Sequence, residues 1–215
     1  MGSRVAVVVF DIGETLVDET SSWNAWADYL GIPRFTLNAL VGVCIAQGRD
    51  HRDAFTMMGF DFATEAARRD TAGEAVPWGL QDFYPDAVPC LQELHALGLR
   101  VGLAGNQPAA AEQVLEALGL PVAFIASSAR WGVAKPSPAF FEKVVEAAGV
   151  AAAQIAYVGD RLDNDVLPAR AAGMTAVLLR RGPWGYLHAT QPDVARAHHV
   201  IDSLHTLSAR LLLAD

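Results

Sequence analysis

Residues 5–10 form an unbroken apolar run, Val-Ala-Val-Val-Val-Phe, that stops abruptly at Asp11. A strand with one wet face alternates apolar and polar residues. A run that is apolar at every position has to bury both faces, as central strands of parallel sheets do beneath two layers of helix. Shorter runs of this kind recur at 101–104, 122–126, 155–158 and 176–179, and 200–201 adds a brief last one. Between them, residues 87–97, 109–118 and 138–148 carry apolar positions three and four apart. Each segment ends at a glycine (Gly98, Gly119, Gly149) suited to the left-handed conformation that closes a helix. Strand alternating with helix in this order predicts an α/β fold with a doubly wound parallel sheet.

Residues 18–82 break the alternation. They hold no convincing buried strand and are rich in Ala, Trp, Phe and helix-compatible polar residues. We expect a small α-helical cap domain over the open end of the first strand, with 1–17 and 83–215 forming the α/β core domain and 80–85 the return linker. Trp23, Trp26, Phe35, Phe55, Phe60, Phe62 and Trp78 are expected mostly to pack the cap or seal it. A chain of 215 residues, 52% hydrophobic and 19% charged, has room for one α/β domain and a small companion.

A net charge of -8 argues against nucleic-acid partners and against an anionic membrane surface. No stretch is long and apolar enough for a membrane span, and no charged segment followed by an apolar run opens the chain. Cys44 and Cys90 are too few and too far apart for a disulfide framework or a metal cluster, so a cytoplasmic setting is expected. Oligomeric state leaves no trace in the sequence.

In open parallel sheets, ligands bind outside the carboxyl ends of the strands, where the strand order reverses. The polar residues at those ends are Asp11-Ile12-Gly13-Glu14-Thr15-Leu16 after the first run, Gly105-Asn106 after the second and Lys135-Pro136 after the third. The fourth is followed by Gly159-Asp160, with Asp163 and Asp165 close behind. Several carboxylates in one site repel unless a cation is present. A hard cation such as Mg²⁺ answers that need while leaving room for a phosphate. An acid standing alone after a strand is more economically a helix cap; the gathering of four strand ends is what points to chemistry.

These four segments, in order and spacing, resemble the four motifs of the haloacid dehalogenase superfamily. The insertion resembles the helical C1-type cap of its subfamily I, and the family fold is a Rossmann-like sheet. The resemblance implies a Mg²⁺-dependent hydrolase, in the first place a phosphatase acting on a small phosphorylated metabolite. Asp11 would be the nucleophile forming an aspartyl-phosphate. Asp11, the backbone carbonyl of Gly13, Asp160 and Asp165 would hold the metal. Lys135 would balance charge on Asp11 and the phosphoryl oxygens, and Thr15 and Asn106 would contribute hydrogen bonds to the phosphate.

Two positions depart from that pattern. The phosphatases carry a second Asp two residues beyond the nucleophile as general acid and base, and here Gly13 stands there. A Ser or Thr usually precedes the Asn, and here it is Gly105. Loss of acid–base help costs roughly 10²–10⁴-fold in rate. A catalytically weak or silent binding or regulatory protein, and a haloacid dehalogenase, therefore stay open as alternatives. Glu14, Asp18 and Glu19 are nearby candidates for the missing acid, although solvated loop positions are expected for all three. Arg180 and Arg181 are expected in a solvated turn, the alternative being a grip on an anionic substrate. The histidines are expected to be structural or exposed.

Overall fold

The computed structural model describes residues 5–72 and 78–212. Its sheet has six strands: β1 (Val7–Phe10), β2 (Arg100–Gly105), β3 (Phe124–Ser127), β4 (Ile155–Gly159), β5 (Thr175–Leu179) and β6 (His199–Ile201). They lie in the order β3-β2-β1-β4-β5-β6 and every pairing is parallel. The chain winds outward from β1 through β2 to β3, then returns to the other side of β1 to start β4. The reversal point therefore falls between β1 and β4, beside Asp11 and Asp160.

The described residues form two compact units, 5–18 with 78–212, and 19–72. The second unit holds four helices: α1 (Thr20–Leu30), α2 (Arg34–Ala46), α3 (Asp53–Met57) and α4 (Phe62–Thr71). Residues 73–77 of the expected insertion lie outside the described residues. Trp26, Phe55 and Phe62 form its aromatic centre, with ring centroids 5.0–5.4 Å apart. The guanidinium of Arg69 lies 4.2 Å from the Trp26 ring, and Tyr29 donates to Glu65. Phe35, one of the seven aromatics of which most are expected to pack, is 85% exposed.

The sheet unit continues with α5 (Ala87–Ala96), α6 (Ala109–Ala117), α7 (Ser128–Trp131), α8 (Pro138–Ala148), α9 (Leu167–Ala171), α10 (Gly182–His188) and α11 (Leu207–Leu212). Strand β1 shows why the opening run has no polar position. Val8 and Phe10 point into a cluster with Cys90, Leu91 and Leu94 of α5 and Leu207 and Leu211 of α11. Val7 and Val9 point the opposite way, against Phe140, Phe141 and Val144 of α8 and Ala169 of α9. Each face is covered, so neither tolerates a polar side chain. Trp78 also packs against the α5 side of this core.

One strand begins later than the apolar run suggests: β3 occupies 124–127, not 122–126. Pro121 has no N–H, and the Val122 N–H turns back to the carbonyl of Leu120 at 2.8 Å, so the ladder starts only after this turn. Gly149 closes α8 in the left-handed conformation at φ 63°, and Gly98 and Gly119 also have positive φ after α5 and α6.

At the two ends of the insertion, Val17 and Phe83 form an antiparallel bridge. The Asp18 N–H donates to Asp82, and the Tyr84 N–H donates to Leu16. Near them, Asp86, just ahead of α5, gathers four donor contacts. Arg181 reaches both carboxylate oxygens at 2.6 and 2.5 Å, and Ser203 and the Leu204 N–H donate at 2.7 and 3.0 Å. Arg181 also donates to the carbonyl of Thr15. It is therefore neither a solvated residue nor one available to a substrate, contrary to both readings of the sequence. Arg180 does remain exposed, paired with Asp202.

Burial pushes the Asp86 carboxyl upward, but the Ser203 and Arg181 hydrogen bonds outweigh it and hold its pKa below the ordinary aspartate value. With a depressed folded pKa, its stabilisation is complete above about pH 4 and is lost as pH falls through the folded value. Asp86→Ala strands the Arg181 charge and should lower the unfolding free energy by about 3–5 kcal/mol at neutral pH. The deficit should shrink below about pH 4, as urea denaturation at several pH values would reveal. A neutral-pH loss under about 1 kcal/mol would place this pair among ordinary surface contacts.

Candidate active site

Asp11 extends β1 by one step, its N–H donating to the Val158 carbonyl of β4 at 2.9 Å. This fixes the side chain at the sheet's carboxyl edge, buried to 7% exposure. Asp160 follows β4 directly at 1% exposure, and Asp165 lies in the turn of residues 162–166 at 0%. One oxygen from each of the three carboxylates falls within a group no wider than 4.8 Å.

Lys135 holds this group together. Its ammonium nitrogen stands 2.7 Å from Asp11 Oδ1 and 2.6 Å from Asp165 Oδ1, with the lysine side chain 1% exposed. Burial disfavours the ammonium, yet the Asp11 and Asp165 carboxylates outweigh it and lift the Lys135 pKa well above the usual lysine value. The lysine is thus a fixed positive charge. Asn106 secures its backbone from β2: the amide oxygen accepts the Lys135 N–H at 2.8 Å, and the amide nitrogen donates to the Lys135 carbonyl at 3.0 Å. The second oxygen of Asp165 accepts the Arg161 N–H at 3.0 Å.

Two glycines make room for these carboxylates. A Cβ on Gly159 would lie 2.4 Å from the Asp165 side chain, and one on Gly105 would lie 2.7 Å from Asp11 Oδ1. The Gly105 departure noted in the sequence is therefore tied to where Asp11 places its carboxylate.

One ammonium does not balance three buried carboxylates. Burial, then repulsion from Asp165 and Asp11, raises the Asp160 pKa well above the usual aspartate value. Burial likewise raises Asp165 to about 6, although Lys135 pulls the other way. Two buried oxygens, Asp160 Oδ2 and Thr15 Oγ1, have no hydrogen-bond partner among the described residues. Buried polar atoms normally have partners. Three oxygen donors, an excess of negative charge and an orphaned Asp160 oxygen together fit a hard divalent cation.

The structure thus brings Asp11, Lys135, Asp160 and Asp165 into contact distance and fixes Asn106 to the lysine backbone. Thr15 is fully buried, and its carbonyl is taken by Arg181. Gly13 is paired in an isolated parallel bridge with Val17, and the left-handed residue of the loop is Glu14, at φ 53°. Glu14 is not the solvated acid expected from sequence. It is 8% exposed and accepts the Tyr84 hydroxyl at 2.7 Å. Its side chain also fills the space that a Cβ on Gly182 would need, 2.4 Å away. Burial and the Glu14 charge together push the Tyr84 pKa upward. Asp18 and Glu19 are half-buried. Nothing in the sequence around Glu14 announces Tyr84, seventy positions along; a charged residue between glycine and threonine after a buried strand is the only local hint.

The family model for haloacid dehalogenase-like hydrolases matches residues 5–173, and the chain belongs to that family. It is 35% identical over 133 residues to a phosphoglycolate phosphatase of Cereibacter sphaeroides, covering 61% of this chain and 58% of that one. It is 36% identical over 113 residues to a glyceraldehyde 3-phosphate phosphatase of Methanopyrus kandleri, covering 51% and 48%. The matches thus span about half the length of these curated relatives. The fold is shared with an HAD phosphatase from Thermococcus onnurineus at TM-score 0.61 and 23% identity, covering 99% of this chain and 98% of that one. It is shared equally with the L-2-haloacid dehalogenase RSc1362 at TM-score 0.70 and 19% identity, covering 98% and 100%.

Replacing Lys135 with Met should lower stability by about 3–5 kcal/mol at neutral pH in metal-free buffer, because it leaves three buried carboxylates uncompensated. Asp160 and Asp165, already raised by burial, would rise further without the ammonium, so the folded state would bind more protons and gain stability as pH falls. The deficit relative to wild type should therefore narrow between about pH 7 and pH 5. Urea denaturation at the two pH values checks both sign and size. A deficit that widens on acidification would show that Lys135 is not the counter-charge of this cluster.

Proposed function

We propose that this protein is a Mg²⁺-dependent phosphatase acting on a small phosphorylated metabolite through an aspartyl-phosphate at Asp11. The observation that carries the reading is the buried Lys135 ammonium shared between Asp11 and Asp165, with the orphaned oxygen of Asp160 beside them. The phosphatase relatives support the reaction class. Helices α1 to α4 would act as the cap that selects the substrate. Two buried free cysteines accord with a reducing cytoplasm.

In this mechanism Asp11, 2.7 Å from the Lys135 ammonium, attacks the phosphorus, the usual use of a carboxylate as nucleophile. Lys135, whose pKa is held well above neutrality, keeps its proton and offsets charge on Asp11 and on the phosphoryl oxygens. Asn106 keeps the lysine in place through its backbone. Asp11, Asp160 and the Gly13 carbonyl would hold Mg²⁺, with Asp165 supporting it directly or through water. When bound, the ion supplies charge neutralisation for the transferring phosphoryl group. The two glycines beside Asp11 favour slow turnover of ordinary esters, with a silent phosphate-binding relative as the second reading.

Asp11→Asn should abolish phosphate release while leaving the circular dichroism spectrum unchanged, since the amide is nearly isosteric but a poor nucleophile. Retention of a substantial fraction of turnover would remove Asp11 from the nucleophile role. Separately, millimolar Mg²⁺ should raise the melting temperature, because a ligand of the folded state alone shifts unfolding by mass action. Asp160→Ala should erase that shift. A wild-type melting temperature indifferent to Mg²⁺ would count against the metal site.

A further inference from the structure

The leaving group decides which phosphoryl donors this site can use. An alkyl phosphate expels an alkoxide, which needs a proton as the bond to phosphorus breaks. A carboxylate leaves as a stable anion and needs none. Closest behind Asp11, residues 13–15 could be asked for that proton; Asp18 and Glu19, both half-buried, stand farther along the chain. Gly13 has no side chain. Glu14 is buried at 8% exposure and its Oε2 accepts the Tyr84 hydroxyl at 2.7 Å, so that oxygen receives a hydrogen bond and does not offer one. Its position is fixed further by its contact with Gly182, where a Cβ would lie 2.4 Å from it. Thr15 carries only a hydroxyl, fully buried. Lys135 is clamped between two carboxylates at 2.7 and 2.6 Å as their counter-charge. On the opposite flank of Asp11, Gly105 offers no hydroxyl, and a Cβ there would crowd Asp11 Oδ1 at 2.7 Å.

Resting on the phosphatase reading above, we propose that the substrates of the Asp11 site are acyl phosphates, mixed anhydrides of phosphate with a small carboxylic acid. An Asp11 carboxylate oxygen bonds to phosphorus as the bond from phosphorus to the bridging acyl oxygen breaks. The electron pair of that bond leaves with the oxygen, giving the free carboxylate. Water then attacks the phosphorus of the aspartyl-phosphate, and the bond to Asp11 breaks with its electron pair returning to Asp11. Both water protons stay on the released phosphate until it equilibrates with solvent. The two half-reactions mirror each other: each exchanges a carboxyl–phosphate anhydride and each expels a carboxylate. An environment that can release Asp11 unprotonated in the second step can release a substrate carboxylate unprotonated in the first.

The test uses the full chain with Mg²⁺ and three classes of donor: acetyl phosphate, a series of aryl phosphates of graded leaving-group basicity, and an alkyl phosphate such as glycerol phosphate. Phosphate release gives kcat/KM, and intact-mass spectrometry follows phosphorylation of Asp11. Acetyl phosphate should phosphorylate Asp11 and turn over, and kcat/KM should fall steeply along the aryl series. The alkyl phosphate should be slower by about 10²–10⁴-fold or more, the typical worth of a missing general acid. Gly13→Asp should narrow the gap, raising kcat/KM for the alkyl phosphate relative to that for acetyl phosphate; should that variant not fold, the wild-type series decides alone. A flat series, with alkyl and acetyl phosphates within about tenfold of each other, would overturn the acyl-phosphate assignment while leaving the phosphatase reading standing. No phosphorylation of Asp11 and no phosphate release from any donor would overturn both.

Discussion

The structure of the site depends on one ion triplet, the Lys135 ammonium held between Asp11 and Asp165. A buried carboxylate pair without a cation would have to protonate or move apart, and a buried ammonium without carboxylates would lose its proton. Each charge is tolerable only because the others are there. The surrounding backbone serves that arrangement: Asn106 holds the main chain of Lys135 by two hydrogen bonds, and Gly105 and Gly159 leave space for the two carboxylates. The sheet order places all four segments at the reversal point between β1 and β4, where a parallel sheet leaves a crevice for a ligand. Three carboxylates against one ammonium, with Asp160 Oδ2 left without a partner, then create the demand for a further cation.

The glycine at 105 and the glycine at 13 are absences of different kinds. At 105 the space is already used by Asp11 Oδ1, so a side chain there requires Asp11 to shift. Gly13 is held in a bridge to Val17 and is not the left-handed member of its loop; Glu14 takes that conformation. That assignment turns Glu14 toward Tyr84 and Gly182, where it serves the packing of the loop. Tyr84 in turn stacks beneath Arg181, whose guanidinium lies 4.2 Å from the ring. Arg181 ties Thr15 to Asp86, so the loop that follows Asp11 is braced from the ends of β5 and β6.

Much of this could be read from the amino acids because it is written locally. The six-residue apolar run defines β1, since burial on both faces leaves no polar position to interrupt it. Asp11 and Asp160 announce themselves by following β1 and β4 directly, and Lys135 is the first lysine after β3, beyond the short helix α7; the parallel order brings them to one edge. Asp165 is legible through its spacing from Asp160. The start of β3 was not legible, because the turn at Pro121 competes with the ladder for the Val122 N–H. Nor was the burial of Glu14 or of Arg181. Their partners, Tyr84 and Asp86, lie far along the chain in a segment with no motif of its own, and charged residues in glycine-rich loops ordinarily face water. Periodicity reports which face is buried, but long-range polar pairing leaves no period.

On the proposed reading, Asp11 presents its carboxylate, balanced by Lys135 and a divalent cation, to a phosphoryl group. The most direct measurement is fluorine NMR of the protein with beryllium fluoride, which forms a stable mimic of an aspartyl-phosphate on a suitably placed carboxylate. Wild-type protein with Mg²⁺ should show a bound fluoride resonance that is lost on adding a chelator and is missing from Asp11→Asn. A spectrum containing only free beryllium fluoride species, with folded wild-type protein and Mg²⁺ present, would contradict the account.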